Sequence, residues 1–171
     1  MKRPEGERNF LIHVPQNNTQ QYSLHLTFHG LGDNCNNFIK ATNFIPSSDK
    51  HNVILVAPCG FPGYFGNNSW NAGSCCQPDK SVNDIEFTKE IITYMKTNYN
   101  INNNNIFSSG FSNGAMFSEI LACELPFINS VASVSGVVEL GSGGSQGLKQ
   151  CDNDVSKYNY RSSVLLINGT N

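Results

Sequence analysis

A serine between two glycines stands at the junction of a strand-like and a helix-like stretch, in "GFSNG" at positions 110–114. Ile106 and Phe107 precede it in an apolar run, and good helix formers follow from Ala115. A sharp strand-to-helix turn presents a serine Oγ for attack on a carbonyl carbon, and small neighbours let the backbone turn tightly. The pattern predicts that Ser112 is an acyl-transfer nucleophile. The alternative, an ordinary N-cap serine, needs neither glycine.

The same five-residue pattern occurs a second time, around Ser145 at positions 143–147. There it lies in glycine- and serine-rich sequence followed by a polar run, with no strand before it and no helix after it. Because the turn depends on both elements to hold it, Ser145 is not expected to be a nucleophile.

An acyl-transfer serine also needs two N–H donors for the oxyanion that develops on the substrate. The first is the backbone N–H of Asn113, directly after the nucleophile, and the second normally comes from a loop after an earlier strand. The segment "FHGLGDN" at 28–34 follows a strand predicted at 22–30. Since Gly30 lets the backbone turn inward, the N–H of Leu31 is the candidate for the second donor.

Alternating strands and helices are predicted to position these groups. Short apolar runs rich in branched residues predict strands at 9–15, 22–30, 52–58, 106–109, 130–136 and 163–169. Apolar spacing predicts a helix over 85–99, after a start resembling a capping box at Ser81 and Asp84, and a second over 113–125. The run "INNNNI" at 101–106 is interpreted as a surface turn. This order indicates an α/β fold with a mostly parallel sheet.

Composition limits the classes of function. A chain of 171 residues with 39% hydrophobic content can form one sizeable core, so a single domain is expected over 1–171. A net charge of −2 provides no basic surface for nucleic acid. No apolar run reaches the roughly 18 residues that cross a bilayer, so no membrane partner is expected. The first twenty residues are polar, so no signal peptide is expected among them.

The six cysteines favour disulfides in an oxidising compartment, because the count is even and high for a cytosolic chain of this length. Zinc is the alternative, but the adjacent Cys75 and Cys76 lack the usual two-residue ligand spacing and no histidine follows them. No metal site is therefore expected. Sequons at 17–19 and 67–69 are also compatible with a secreted protein.

Taken together, the motifs resemble those of secreted α/β-hydrolase esterases of the polyhydroxybutyrate depolymerase and feruloyl esterase group. The segments that carry the resemblance are "LTFHGLGDN", "WNAGSCC", "NDIEF", "SSGFSNGAMFSEILACELP", "SVASVSGV" and "LLINGT", in that order, covering the chain from about Arg8 onward. The resemblance implies an α/β-hydrolase fold, a mostly parallel sheet flanked by helices. It also implies hydrolysis of carboxylic esters through an acyl-enzyme on Ser112, with Leu31 and Asn113 as oxyanion donors.

The resemblance further implies an extracellular enzyme without a cofactor, acting on polyesters, feruloyl groups of plant polysaccharide or related acyl esters. A long loop rich in Gly, Pro and Asn, predicted to be irregular, covers 59–80. The resemblance implies that this long loop borders the active site, where Trp70 could stack on a substrate ring. His29 is grouped with Trp70 as substrate-binding. Trp70 could instead anchor the loop in the core, and this alternative stays open. The alternative function is a non-catalytic protein that uses this loop to bind polysaccharide or polyester.

Two further roles follow from the resemblance. Cys75, Cys76 and Cys123 are expected to staple the long loop to the helix after the nucleophile, with Cys151 completing the set. Asp84 could serve as a catalytic acid, although its place at a predicted helix start favours helix capping.

In this family the catalytic triad runs in the order nucleophile, acid, histidine. The acid is expected directly after the strand at 163–169 and its adjoining threonine, and the histidine after a further strand and helix. All four histidines precede Ser112, and Asp152 and Asp154 do not match the position of the acid. We therefore expect a domain that lacks its C-terminal strand and helix. A genuine short, inactive product and a substitute base at His29 are the alternatives.

Overall fold

The computed structural model describes residues 1–16, 21–137, 151, 156 and 160–169. Six strands, numbered in chain order, form its central sheet: β1 (Phe10–His13), β2 (Tyr22–Phe28), β3 (Val53–Pro58), β4 (Ile101–Phe111), β5 (Ser130–Val134) and β6 (Ser163–Ile167). Their spatial order is β6-β5-β4-β2-β3-β1. Every neighbouring pair is parallel except β1 with β3. The mostly parallel sheet expected from the sequence is confirmed.

Four helices cover the two faces of this sheet: α1 (Cys35–Ala41), α2 (Ile45–His51), α3 (Asp84–Asn98) and α4 (Asn113–Glu124). Side chains alternate between the faces of a strand, and β3 shows the result. Ile54 and Val56 belong to the core that α3 and α4 share with the sheet, whereas Leu55 and Ala57 pack against α1. The elements that carry the predicted site residues thus lie in a layered α/β arrangement.

Helices α1 and α2 are absent from the sequence-based expectation. Each has only seven residues, which is too short for a clear apolar period. Their end signals are local: the Asn34 side chain caps α1 by accepting a hydrogen bond from the Asn37 N–H. Helix α2 has a proline in its first turn, and Asn52 ends it in the left-handed conformation.

The start of α3 differs from the prediction. Its N-cap is Asn83, whose side chain accepts a hydrogen bond from the Glu86 N–H, and not Ser81. The Ser81 hydroxyl instead donates to Asp79, two residues back along the chain. The capping motif was therefore placed two residues too early, because asparagine is an equally good cap.

The asparagine run at 101–106 belongs to β4 and is not a surface turn. Ile101 pairs with Tyr22 and Ile106 with Leu24, so five steps along β4 face two steps along β2. The three extra residues bulge out of the ladder. A bulge leaves polar side chains in solvent, which is the property that suggested a turn.

Three short antiparallel ladders complete the secondary structure. They join Lys2–Arg3 to Gly6–Glu7, Phe61–Pro62 to Asn68–Ser69, and Asn71–Ala72 to Cys75–Cys76. A 3₁₀ turn, Tyr64–Gly66, lies within the second ladder. The long loop after β3 is thus a pair of small hairpins and not irregular throughout.

All six cysteines form disulfides, but not in the expected arrangement. The pairs are Cys35–Cys59, Cys75–Cys76 and Cys123–Cys151. Cys75 and Cys76 bond to each other, so no disulfide joins the long loop to α4. Helix α4 is instead connected to the segment before β6. The expected staple was wrong because pairing cannot be derived from spacing.

Several predicted features lie outside the described residues. These are the second serine motif at 143–147, the sequon at 17–19, Asp152, Asp154 and the position after residue 169. Within the described ranges, no helix has both the length and the apolar character needed to cross a bilayer.

Candidate active site

Ser112 occupies a strained turn between β4 and α4. Its φ and ψ are 52° and −120°, in a region that non-glycine residues enter at a cost of roughly 1–3 kcal/mol. Its backbone N–H donates to the Val134 carbonyl at 2.9 Å, and its carbonyl accepts from Ala115 and Met116. Its side chain makes no capping hydrogen bond and is partly exposed. This conformation fits the sharp strand-to-helix turn that the nucleophile prediction requires, and it is not that of a capping serine.

The two glycines of the motif are required by close backbone packing. A Cβ on Gly110 would lie 2.2 Å from the Gly114 carbonyl oxygen. A Cβ on Gly114 would lie 2.2 Å from the Phe28 carbonyl oxygen, at the end of β2. No side chain fits at either position, so the glycines bring the nucleophile turn directly against the strand that leads to the predicted oxyanion loop.

The two predicted oxyanion donors are the N–H groups of Leu31 and Asn113. They lie on either side of the contact between the Ser112 turn and the end of β2. A Cβ on Gly30 would be 3.6 Å from the Ser112 Cβ, so the loop that carries Leu31 touches the nucleophile. Among the described residues, neither the Leu31 nor the Asn113 backbone N–H has a hydrogen-bond acceptor. Two N–H groups without an acceptor, near a partly exposed serine, could bind an oxyanion.

Trp70 is a core residue. It is fully buried, stacks on Phe117 with ring centroids 5.5 Å apart, and meets the Phe28 ring edge-on at 5.0 Å. Its indole N–H donates to the His29 carbonyl at 2.9 Å. Its backbone N–H and carbonyl pair with the Asn113 side chain at 2.8 and 3.1 Å. This placement agrees with the alternative that Trp70 anchors the loop in the core. A fully buried indole ring has no exposed face that a substrate could contact.

His29 is also buried, and both of its ring nitrogens are engaged. Nδ1 lies 2.8 Å from the Gly30 carbonyl oxygen, and the Gly60 N–H donates to Nε2 at 2.9 Å. A carbonyl can only accept, so the proton is on Nδ1. Burial lowers the pKa of His29, which keeps the ring neutral. This placement corrects both earlier assignments: His29 neither contacts substrate nor has a free nitrogen to act as the base for Ser112.

His13 and His25 have other partners. His13 lies 2.7 Å from Asp49, and His25 Nε2 lies 2.8 Å from the Ser109 hydroxyl. Burial lowers the pKa of His25 from 6.5 to about 4. No histidine in the described part of the chain is hydrogen-bonded to Ser112, and no group of three metal-binding side chains occurs there.

Asp84 anchors the long loop instead of capping a helix or serving the nucleophile. Its carboxylate accepts from the Arg8 guanidinium at 2.7 Å and from the Asn71 N–H at 2.6 Å, next to Trp70. Burial raises the pKa of Asp84, while the Arg8 charge acts in the opposite direction. The Arg8 guanidinium also lies 4.2 Å from the centroid of the Phe87 ring. Arg8 was missed because its partner is 76 residues away.

An exposed apolar surface lies beside Ser112. Phe111 and Leu31 are 47% and 50% exposed, and they flank the nucleophile turn and the predicted oxyanion loop. The hairpin that carries the fully exposed Phe65 contacts this loop through a Gly32 N–H to Asn68 carbonyl hydrogen bond of 2.9 Å. This apolar surface was not predicted from the sequence, because Leu31 was singled out only for its backbone N–H and Phe111 only as part of the serine motif at 110–114.

Comparisons with known proteins agree with this geometry. A family model described as phospholipase/carboxylesterase matches residues 9–161. A bifunctional acetylxylan esterase/xylanase from Neocallimastix patriciarum is 28% identical over 118 residues, which are 68% of this chain and 16% of that protein. The chain therefore spans about a sixth of the length of that curated relative.

Two solved structures have a similar fold. A fluorophosphonate-binding serine hydrolase from Staphylococcus aureus matches with a TM-score of 0.73 and 11% identity, covering 99% of this chain and 77% of that one. A poly(3-hydroxybutyrate) depolymerase from Bordetella parapertussis matches with a TM-score of 0.63 and 11% identity, covering 94% of this chain and 76% of that one.

Proposed function

Because this chain belongs to the phospholipase/carboxylesterase family and has the α/β-hydrolase fold, we propose that it is a serine esterase that acts through an acyl-enzyme on Ser112. One observation carries the proposal. Ser112 is held in a strained elbow with no capping role, beside two backbone N–H groups that have no acceptor among the described residues.

In the proposed reaction, the Ser112 Oγ attacks the ester carbonyl carbon and gives up its proton to a general base. The Leu31 and Asn113 N–H groups stabilise the negative charge on the carbonyl oxygen. Collapse of the intermediate expels the alcohol, which takes that proton from the base. Water then hydrolyses the acyl group from Ser112 by the same steps, and the carboxylic acid leaves.

The general base is the part of the site that the described residues do not supply. A histidine would fill this role, oriented by an acid, as in other Ser-His-Asp sites. We place the acid after β6 and the histidine beyond it, following the family order. Without both groups, an elbow with its oxyanion hole retains roughly 10³–10⁴-fold acceleration over water.

The proposed substrate is an acyl ester, including esters carried on a polymer. Support comes from the names of the similar proteins, an acetylxylan esterase/xylanase and a poly(3-hydroxybutyrate) depolymerase. Phe111, Leu31 and Phe65 provide an exposed apolar surface beside the nucleophile where an acyl chain or polymer could lie. Three disulfides favour an extracellular location.

A fluorophosphonate probe tests this proposal on the full-length gene product. We expect covalent labelling of Ser112, loss of labelling in Ser112→Ala, and unchanged labelling in Ser145→Ala, the matched control from the second motif. Absence of labelling in the wild-type protein, together with retention on xylan or polyester, would support the non-catalytic binding alternative.

A further inference from the structure

We propose that His29 is a positioning residue of the oxyanion hole: its imidazole orients the Gly30–Leu31 peptide so that the Leu31 N–H faces Ser112. This inference rests on the proposed function, because it takes Leu31 as an oxyanion donor. It gives His29 a different role from substrate contact or proton transfer.

The orientation follows from the geometry of a single peptide group. The carbonyl of Gly30 and the N–H of Leu31 belong to the same planar trans peptide, so they point in opposite directions. The His29 Nδ1–H holds this carbonyl at 2.8 Å, and the Asp33 N–H adds a longer bond of 3.2 Å. With the carbonyl held by the imidazole, the Leu31 N–H points away from His29. The same loop runs close to Ser112, since a Cβ on Gly30 would lie 3.6 Å from the Ser112 Cβ.

The orientation of the His29 imidazole is fixed by a hydrogen bond and by close packing. The Gly60 N–H donates to Nε2 at 2.9 Å, which leaves the proton on Nδ1. A Cβ on Gly60 would lie only 2.9 Å from the ring, so the glycine backbone packs directly against it. The Trp70 ring lies 5.1 Å away, and the Trp70 indole N–H holds the His29 carbonyl. The opposite tautomer would place two N–H groups against each other.

Two amide substitutions test the roles of the two His29 ring nitrogens separately. Asn places its amide near the position of Nδ1, so His29→Asn retains a donor for the Gly30 carbonyl. Gln places its amide near Nε2, so His29→Gln loses that donor while it keeps a similar size and polarity. In the full-length protein, we expect kcat to fall by about 10²-fold in His29→Gln, with KM within about threefold. The kcat of His29→Asn should stay within about tenfold of the wild-type value.

A second readout is independent of catalysis. In ¹⁵N relaxation measurements, the Leu31 amide should be ordered in the wild type and in His29→Asn, and mobile in His29→Gln. Equal order in all three proteins, or equal losses of kcat in the two variants, would overturn the inference. Thermal unfolding of each variant identifies any loss that comes from misfolding.

A third measurement needs no variant. The ¹⁵N shifts of the wild-type imidazole should identify the tautomer with its proton on Nδ1, and a proton on Nε2 would overturn the inference. The two proposals can fail separately. If the wild type neither labels nor hydrolyses esters while Leu31 order depends on His29, the esterase proposal fails and only the ordering of the Gly30–Leu31 peptide by His29 stands. If Ser112 labels and both variants retain full kcat, only the positioning role fails.

Discussion

The nucleophile turn and the β6 edge lie on one sheet but are built in opposite ways. At the turn, Gly110 and Gly114 leave no space for a Cβ, and Trp70 is fully buried beneath them. Along β6, the apolar side chains from Val164 to Ile167 are between 46% and 58% exposed. Within the described ranges, β6 pairs only with β5 and its other edge has no partner strand.

This difference indicates which half of the proposed active site the described residues define. Close packing among β2, β4, α4 and the Trp70 loop holds the proposed nucleophile and the two proposed N–H donors. The acid is expected to follow β6, where packing is sparse. Substitutions should therefore have large effects at the turn and small effects at β6.

The largest difference in the free energy of unfolding is expected between alanine substitutions of two glycines. Gly114→Ala would place a Cβ 2.2 Å from the Phe28 carbonyl oxygen, whereas a Cβ on Gly169, just after β6, meets nothing within 4 Å. We expect Gly114→Ala to lower the free energy of unfolding by at least about 3 kcal/mol and Gly169→Ala to change it by less than about 0.5 kcal/mol. Urea unfolding measures both. Equal effects would remove the distinction between the two regions.

A smaller loss is expected when the Trp70 indole N–H is removed. Trp70→Phe retains an aromatic ring but leaves the buried His29 carbonyl without the donor at 2.9 Å. Together with the lost volume, this should lower the free energy of unfolding by about 2–3 kcal/mol. Calorimetry can measure the change. A loss below about 0.5 kcal/mol would show that Trp70 does not anchor the loop.

His25, on β2, should make stability depend on pH. Burial lowers its folded-state pKa from 6.5 to about 4, so the unfolded chain binds more protons between these values. Its stabilising contribution is therefore complete above pH 6.5 and is lost as the pH falls toward 4. We expect a loss of roughly 1–2 kcal/mol relative to His25→Gln, after allowance for partial exposure of the ring.

Urea titrations of both proteins at pH 7 and pH 4.5 isolate this contribution, because the other titrating groups are common to both. Parallel pH profiles for wild type and His25→Gln would contradict the expected shift.

The smallest change in stability is expected on β6. In the 171-residue chain Leu165 is 58% exposed, so in that chain Leu165→Lys should alter the free energy of unfolding by less than about 0.5 kcal/mol. It should reduce self-association, because a lysine on an exposed edge strand opposes pairing with another chain. Light scattering and urea unfolding measure the two effects. A large destabilisation would mean that Leu165 is packed.

Local sequence patterns predicted the parts of the molecule that depend on local structure. The strands, the two longer helices and the serine motif each have a signature within about fifteen residues. The context of that motif also separated positions 110–114 from 143–147, although the latter lie outside the described residues.

Features that depend on distant partners could not be predicted in this way. The Asn113 side chain pairs with the Trp70 backbone 43 residues away, and Arg8 pairs with Asp84 76 residues away. An isolated Trp70 in a glycine-rich loop therefore suggested substrate contact as readily as burial. The proposed role of His29 could not be predicted from its neighbours in the sequence, because its ring is hydrogen-bonded to the backbones of Gly30 and Gly60.

The most direct test of the central claim is to trap the acyl-enzyme. The full-length protein is mixed with p-nitrophenyl acetate, quenched in acid, digested and analysed by mass spectrometry. We predict one acetyl group on the peptide that contains Ser112, and none on that peptide in Ser112→Ala. Acetylation of a different residue, or ester hydrolysis that persists undiminished in Ser112→Ala, would contradict the assignment of Ser112 as the nucleophile.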